Sequence, residues 1–379
     1  MKFHSLVLNI GFITIIVVLG SVAAVRALPF EWPQQAQWLR GELAQKFESH
    51  YDESFPVKTL GINLWAAIQY LAFAEGRSGV VVGQQGWLYT EEEFSRFPDA
   101  QDRVARKLAV IEHVHEALAE RGVDLKVALV PAKTRVYPEY LRDDRPGAFR
   151  EKLYGQARDA LAARGLDVPD LAHALIDCKS EQQVFLKTDT HWTPAGSRCA
   201  ASTLSPRNQT TVMAYEERVM DTEAYRGDLL KFLPLDPYFS RWLPEPDHLT
   251  RIKDAAPTQS DAAGLLGDVE APQLVLIGTS YSADERWNFA SALQEAFGED
   301  VLNLADAGHG PFAPMLAYLR DADAQSTPKQ IIWEIPERYL PAADDTDLGE
   351  LTRLALSLKA PRILPTRTIA QPLLKENLI

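Results

Sequence analysis

A set of short apolar runs, each followed by a segment of helical period, constrains this chain more than any other feature. Leu125 to Val130 ends at Pro131, Gln273 to Ile277 ends at Gly278, Gln330 to Ile335 ends at Pro336, and Val301 to Leu304 is a fourth run. Between and beside them lie helical stretches. Arg103 to Arg121 carries Leu108, Ile111, Val114 and Leu118 on one face, with Gly122 placed as a C-cap. Phe149 to Arg164 is stopped by Gly165, and Asn288 to Phe297 and Pro311 to Arg320 follow. Continuous short apolar strands alternating with helices imply a parallel sheet buried on both faces. The expected fold class is therefore α/β, three layers deep, with a mostly parallel sheet. Ligands bind such sheets outside the carboxyl ends of the strands, so the loops after these runs are where chemistry is expected.

The remainder of the chain adds organisation. Ser5 to Val25 is almost wholly apolar, 21 residues between Lys2 and Arg26. Its length matches a spanning helix and favours an uncleaved signal anchor. Ala23, Ala24 and Ala27 near its end suit the alternative, a cleaved signal peptide. Either reading exports the rest, and a bacterial periplasm is expected. Pro29 to Glu42 reads as a linker, Leu60 to Ala74 as an Ala-rich helix, Gly83 to Tyr89 as a turn and short strand, and Gln183 to Leu186 as a short strand. Ser205 to Ala263 lacks periodicity and reads as an elaborated loop region rather than a second domain. With 52 Asp and Glu against 39 Lys and Arg, the net charge of −13 argues against nucleic acid, because such a surface repels phosphate. Two cysteines, Cys178 and Cys199, are too few for a disulfide scaffold or a cysteine zinc site. In an oxidising compartment they form one bridge or remain two buried thiols.

Two local patterns carry chemistry. In Thr188-Asp189-Thr190-His191-Trp192-Thr193-Pro194, the Asp two residues before the His orients one ring nitrogen and leaves the other as a base. Thr193 and Pro194 then open a helix as N-cap and first residue. The alternative is a structural His held by a capping Asp. In Gly278-Thr279-Ser280-Tyr281-Ser282, the serine sits at a strand-to-helix turn, with backbone N–H groups near enough to receive an oxyanion. A plain N-cap is the alternative, since Ser282 stands where a G-x-S-x-G elbow has its second Gly. Gly308-His309-Gly310-Pro311 follows the next strand, with Gly310 a candidate oxyanion donor and His309 a rival base. Neither G-x-G-x-x-G nor a P-loop occurs, and no cofactor or resident metal is expected. Metal hydrolysis through Asp189 and His191 requires further ligands from elsewhere. Together these loops favour a serine hydrolase or acyltransferase.

With these residues assembled, the chain resembles the AlgJ/AlgX family of alginate O-acetylation proteins, whose catalytic domain is SGNH-hydrolase-like. The resemblance covers most of residues 50–340 and rests on segments in order. They are Gly86-Trp87-Leu88-Tyr89 with Glu92-Glu93-Phe94, Val130-Pro131-Ala132-Lys133-Thr134-Arg135-Val136-Tyr137-Pro138, Asp189 to Pro194, Gly227-Asp228-Leu229, Gly278 to Ser282, Trp287-Asn288-Phe289, and Ile332 to Arg338. The Asp–His pair precedes the Ser, the permuted order of this family. The resemblance implies Ser280 as nucleophile, His191 as general base and Asp189 as its orienter. It implies periplasmic acetyl transfer in exopolysaccharide O-acetylation. The implied partners are a membrane-bound O-acyltransferase supplying acetyl groups, other acetylation and export proteins, and a polysaccharide acceptor. Only about forty residues follow Arg338, against roughly 100 for a β-sandwich binding module, which places the chain nearer AlgJ than AlgX.

The organisation expected is a signal anchor or signal peptide at 1–28, a linker and helical segment at 29–80, a catalytic domain at 81–345 and a C-terminal extension at 346–379. Thr279, Gly310, Tyr281 and Arg135 are candidate oxyanion or substrate contacts. For Lys133 and Arg135, which follow a strand end, an ordinary solvated pair is the competing reading. For Trp87, Trp192 and Trp287, sugar stacking competes with core packing. Two alternatives to acetyl transfer stand beside it, a carbohydrate acetylesterase and a non-catalytic scaffold of an export complex.

Overall fold

The structure, a computed structural model, describes residues 2–26, 42–53, 55–142, 146–205, 216–255, 272–321, 327–343, 346 and 348–359. The linker expected at 29–42 lies largely outside them, as do 206–215, 256–271 and the last twenty residues.

The alternation of strand and helix is realised. From the N-terminus the elements are α1 (Lys2–Arg26), α2 (Glu42–Glu53), α3 (Lys58–Ile68), β1 (Val80–Val82), β2 (Leu88–Thr90), α4 (Ala100–Ala119), β3 (Asp124–Val130), α5 (Lys133–Val136) and α6 (Ala148–Ala162). There follow α7 (Leu171–Cys178), α8 (Pro194–Leu204), β4 (Glu216–Tyr225), β5 (Asp247–Ala255), β6 (Leu274–Ile277), α9 (Ser280–Ala283), α10 (Phe289–Phe297), β7 (Val301–Asn303), α11 (Phe312–Arg320), β8 (Gln330–Pro336) and α12 (Leu348–Lys359). Among the described residues the central sheet has four strands in the order β3-β8-β6-β7, and every pairing is parallel.

Alternate residues of these strands point to opposite faces, and the two faces have separate cores. On one, Leu125, Val127, Leu129, Val275, Ile277, Ile331, Trp333 and Ile335 pack with α4, α6, α11 and α12. On the other, Ala128, Val130, Leu274, Leu276 and Ile332 pack with α7, α8 and α10. This is the three-layer α/β/α arrangement. Helix α12 contributes Leu351 and Ala355 to the first core, so the start of the segment read as a C-terminal extension packs with the sheet domain. Gly122 takes φ +76 just past α4, as a C-cap requires.

The region read as an elaborated loop differs from expectation. Strands β4 and β5 form an antiparallel pair with a register shift between Val219 and Thr222. Such pairs alternate only where one face is buried, and here the alternation is too weak to read. The expected strand at Gln183 to Leu186 is a single bridge, Phe185 to Trp192, which pins the base of the loop between them. Cys178 and Cys199 are joined as a disulfide between α7 and α8, with Cα atoms 6.6 Å apart.

Helix α1 is long and apolar enough to cross a membrane by length and composition, compatible with a signal anchor.

Candidate active site

The loop carrying Asp189 and His191 is held from three sides. Below it, Thr193 caps α8, its hydroxyl accepting from the Gly196 N–H at 3.1 Å. From β5, the buried Asp247 carboxylate accepts the Lys187 and Thr188 N–H groups at 2.6 and 2.8 Å and the Thr188 hydroxyl at 2.6 Å. From α5, the buried Lys133 ammonium donates to the carbonyls of Leu88, Lys187 and Asp189 at 2.6, 2.9 and 2.9 Å. Burial pushes the Lys133 ammonium down to about 8, while the surrounding Asp247, Glu93, Asp189 and Asp228 charges keep it from falling further. Lys133 is therefore no solvated partner of Arg135 but a strut beneath the loop.

On that scaffold Asp189 Oδ1 accepts from His191 Nδ1 at 2.6 Å and from the His191 N–H at 3.0 Å. Its other oxygen accepts from the Tyr225 hydroxyl at 2.8 Å and the Asp228 N–H at 2.9 Å. Burial opposes ionisation here, yet the hydrogen bond and charge of His191, the Asp228 N–H and Tyr225 outweigh it. They hold Asp189 below the usual carboxylate range. Gly227 is required for this approach, because a Cβ there would lie 2.2 Å from the Thr188 carbonyl. Asp228 completes the brace, accepting from the Thr190 N–H and hydroxyl, each at 2.9 Å. Asp189, His191 and Asp228 offer metal-ligating atoms within 4.8 Å of one another. In this arrangement the carboxylate oxygens are engaged by the hydrogen bonds just described.

The serine arrives from the sheet. Strand β6 ends at Ile277, and α9 begins at Ser280, whose Oγ lies 2.7 Å from His191 Nε2. Glu334 on the adjacent β8 sets this turn. Its carboxylate accepts the Thr279 N–H at 2.7 Å, the Thr279 hydroxyl at 3.0 Å and the Ser282 hydroxyl at 3.0 Å. Full burial raises the Glu334 carboxyl, and the Thr279 and Ser282 donors work against that rise. Only a glycine fits at 278, where a Cβ would lie 2.5 Å from Glu334 Oε2. The His191 ring lies between Trp287, parallel at 5.0 Å, and Tyr281, tilted at 4.7 Å.

The sequence-derived contacts divide. Thr279 has its N–H and hydroxyl committed to Glu334 and is not an oxyanion donor. Tyr281 is buried, donates to the Thr190 carbonyl at 2.5 Å and accepts from Arg338 at 3.0 Å, so it braces the loop rather than meeting substrate. Arg135 pairs with Glu337 at 2.6 Å and with the Arg150 and Glu151 carbonyls. Its reach toward substrate is used up by a partner 202 residues away. Gly310 lines a separate surface pocket with Leu316, Arg320 and Tyr339, and His309 pairs with Asp306 at 2.8 Å. Among the described residues neither is hydrogen-bonded to Ser280, His191 or Asp189. Trp87, Trp192 and Trp287 are core residues, each at most 2% exposed.

The roles of Tyr225, Asp228, Asp247 and Glu334 are not visible in the sequence, although Asp228 and Glu334 fall within the matched segments Gly227-Asp228-Leu229 and Ile332 to Arg338. The role of Arg286 is not visible there either. It rests over the Tyr225 and Trp287 rings, donates to the Tyr225 hydroxyl at 3.2 Å and pairs with Asp284.

A parallel sheet between two helical layers, with the Asp–His loop and the serine turn gathered at its carboxyl edge, defines a protein of the SGNH-hydrolase-like class. A family model described as the SGNH hydrolase-like domain of acetyltransferase AlgX matches residues 80–337. A probable alginate O-acetylase, AlgJ, of Pseudomonas syringae pv. tomato is 43% identical over 349 residues, 89% of this chain and 88% of the relative. The counterpart from Azotobacter vinelandii is 45% identical over 316 residues, 81% of each chain. Among solved structures, the O-acetyltransferase domain of Pseudomonas putida AlgJ superposes with a TM-score of 0.66 at 39% identity, covering 74% of this chain and all of that one. The chain belongs to this AlgJ/AlgX family of SGNH-type acetyltransferases.

Proposed function

We propose that this protein is an alginate O-acetylase that carries the acetyl group on Ser280. The relay from Ser280 Oγ through His191 to Asp189, closed at 2.7 and 2.6 Å, is the observation that carries this reading. The alginate assignment is supported by relatives at 43 and 45% identity bearing that name.

Ser280 Oγ attacks the acetyl carbonyl carbon while His191 Nε2 takes the hydroxyl proton. Asp189 holds the ring in the tautomer with Nδ1 protonated and stabilises the imidazolium as it forms. The oxyanion is received by the Ser280 N–H at the first position of α9, since first-turn N–H groups have no partner within a helix. One such donor contributes about 3–4 kcal/mol in serine enzymes. The leaving group takes the proton back from His191, which leaves acetyl-Ser280. A sugar hydroxyl then gives its proton to His191 and attacks the acetyl carbonyl; Ser280 Oγ leaves, taking that proton back from His191, and the sugar departs as the acetyl ester. Water in place of the sugar gives hydrolysis, the acetylesterase outcome.

Residues 5–25 anchor the chain in the inner membrane, and residues 81–345, with α12 packed against their sheet, form the catalytic domain on its periplasmic side. A membrane-bound O-acyltransferase supplies the acetyl group, with a polysaccharide, or a further acetylation or export protein, as acceptor. The charge of −13 suits brief encounters with an acidic polymer, not a processive grip.

The test is acetyl transfer from a soluble acetyl ester to oligomannuronate, followed by mass spectrometry, with a serine-directed phosphonyl probe alongside. Labelling at Ser280, and loss of both reactions in Ser280→Ala and His191→Ala with the fold intact, support the reading. Undiminished transfer in Ser280→Ala overturns it, and hydrolysis without transfer assigns the esterase instead.

A further inference from the structure

Residues 59–74 contain no charged side chain, yet they lie on the outside of the fold. They form α3 and a wider turn that continues it, Gln69–Phe73, ending at Ala74 in a left-handed conformation. One face is attached to the domain. Asn63 donates to the Pro234 carbonyl at 2.6 Å, and Ala66 joins a core with Val80, Val82, Leu88, Leu229 and Leu233. The other face turns Leu60, Leu64, Trp65, Ile68, Leu71 and Phe73 to the outside, with Trp65 60% and Phe73 63% exposed. Single exposed apolar residues are ordinary on a protein surface, but a continuous strip of this kind marks an interaction site.

We infer that this helix lies in the headgroup region of the same bilayer that α1 enters, with Trp65 and Phe73 inserted among the acyl chains. The inference rests on the reading of α1 as a membrane anchor. Three observations select lipid over a protein partner. The strip is continuous in sequence with a span: α1 ends at Arg26, α2 begins at Glu42, and Tyr51 of α2 donates to the Gly20 carbonyl of α1 at 3.4 Å. Sixteen uncharged residues are too few to cross a bilayer but ample to lie in its surface. The strip also mixes Trp and Phe with Leu and Ile, the composition of a helix seated at the acyl boundary, where Trp is enriched. With a net charge of −13, attraction to anionic lipid does not drive the docking, so apolar insertion must.

The consequence reaches the active site. Leu229 and Leu230, which pack in the same core as Ala66, sit on the turn opened by Asp228, and Asp228 holds Thr190 beside His191. One packed layer therefore separates the docked helix from the catalytic loop. Docking fixes the height of Ser280 above the membrane, so an acetyl donor arriving from the bilayer meets the serine at a set distance.

Nitroxide labels on the full chain in phosphatidylethanolamine–phosphatidylglycerol vesicles test this. They are attached singly to Ile15→Cys, Trp65→Cys, Phe73→Cys and Asp159→Cys, and power saturation compares oxygen with a water-soluble nickel chelate. Labels at 65 and 73 should collide several-fold more often with oxygen than with nickel, as at 15, and label 159 should show the reverse. Nickel-dominated labels at 65 and 73 beside a lipid-exposed label 15 overturn the docking and leave the anchor standing. Labels shielded from both reagents place a protein or a second copy on the strip and likewise overturn it. A nickel-dominated label 15 removes the anchor on which the inference rests and overturns it, even where labels 65 and 73 stay lipid-exposed.

Discussion

His191 Nε2 lies 2.7 Å from Ser280 Oγ, although 89 residues separate them in the chain. The two meet because β6 ends where the loop before α8 passes, and each side is fixed by its own carboxylate, Asp247 under the loop and Glu334 under the turn. The His191 ring is stacked on Trp287 and packed against a tilted Tyr281, so little freedom remains for it to leave Ser280. The orienting role proposed for Asp189 is then separable from binding. Asp189→Asn should lower kcat for acetyl-ester hydrolysis by about 10⁴, the size seen when a triad loses its correct tautomer. KM should stay within about threefold, because no bond to substrate is removed. A change confined to KM would refute the assignment.

Tyr225 and Asp247 are register partners in the β4–β5 pair and hold adjacent stretches of the loop, Asp189 and Lys187–Thr188 respectively. Tyr225→Phe removes one of the two donors to Asp189 Oδ2. It should lower kcat by about tenfold with little loss of stability, as expected for one hydrogen bond of about 1–1.5 kcal/mol. Asp247→Ala leaves the Lys187 and Thr188 N–H groups without acceptors in a buried place, and should lower unfolding free energy by about 2–4 kcal/mol. Urea titration paired with steady-state kinetics distinguishes the two.

Asp189, His191 and Ser280 were legible in the sequence because each is marked by its immediate neighbours. Thr193-Pro194 announces a helix start after His191, and an apolar run stopped at Gly278 announces a strand end before Ser280. The sheet was legible for the same reason, since buried parallel strands are apolar without interruption. The hairpin was not, because its faces alternate weakly and its functional groups, Tyr225 and Asp247, are defined by what they touch 36 and 59 residues earlier. Arg135 and Thr279 show the same limit from the other side. Both have the right chemistry at the right strand ends, but Glu337, just past the end of β8, and Glu334 on β8 claim them. Spacing within a segment cannot reveal a partner on another strand.

The disulfide between Cys178 and Cys199 closes a 21-residue separation that contains the whole Asp189–His191 loop. The double substitution Cys178→Ser with Cys199→Ser should cost about 3 kcal/mol, the closure entropy of a loop of that size. Activity of the folded fraction should persist, because Lys133 and Asp247 hold the loop independently. Thermal unfolding and an acetyl-ester assay well below the lowered Tm check both halves.

Gly278→Ala should damage the enzyme more than a glycine-to-alanine change at an open position such as Gly155, where nothing lies within 4 Å. The added methyl meets Glu334 Oε2 at 2.5 Å and Glu334 Cβ at 2.8 Å, so the carboxylate that sets the Thr279–Ser282 turn must move. Overpacking of this kind typically costs about 1–3 kcal/mol. Because the displaced group is the one that positions Ser280, kcat should fall further than stability predicts. Equal effects of Gly278→Ala and Gly155→Ala on kcat would contradict this.

Asp189 and Lys133 give opposite pH signatures. Asp189 has a folded pKa below its unfolded value of about 3.9, so the unfolded chain takes up the proton first as pH falls. Its contribution to stability is complete above about pH 5 and is lost progressively toward lower pH. Lys133 has a folded pKa pushed down to about 8, against an unfolded value of about 10.4. Between those values the unfolded state carries more protons, so stability from this group rises with pH. Deprotonation, however, leaves two N–H groups for the three carbonyls of Leu88, Lys187 and Asp189. Activity should therefore decline as pH passes about 8 while the wild-type advantage in unfolding free energy over Lys133→Met grows. Urea titrations of both proteins from pH 7 to 10, with kcat measured at each pH, read the two trends separately. A kcat that holds constant from pH 7 to 10 would remove Lys133 from the support of the catalytic loop.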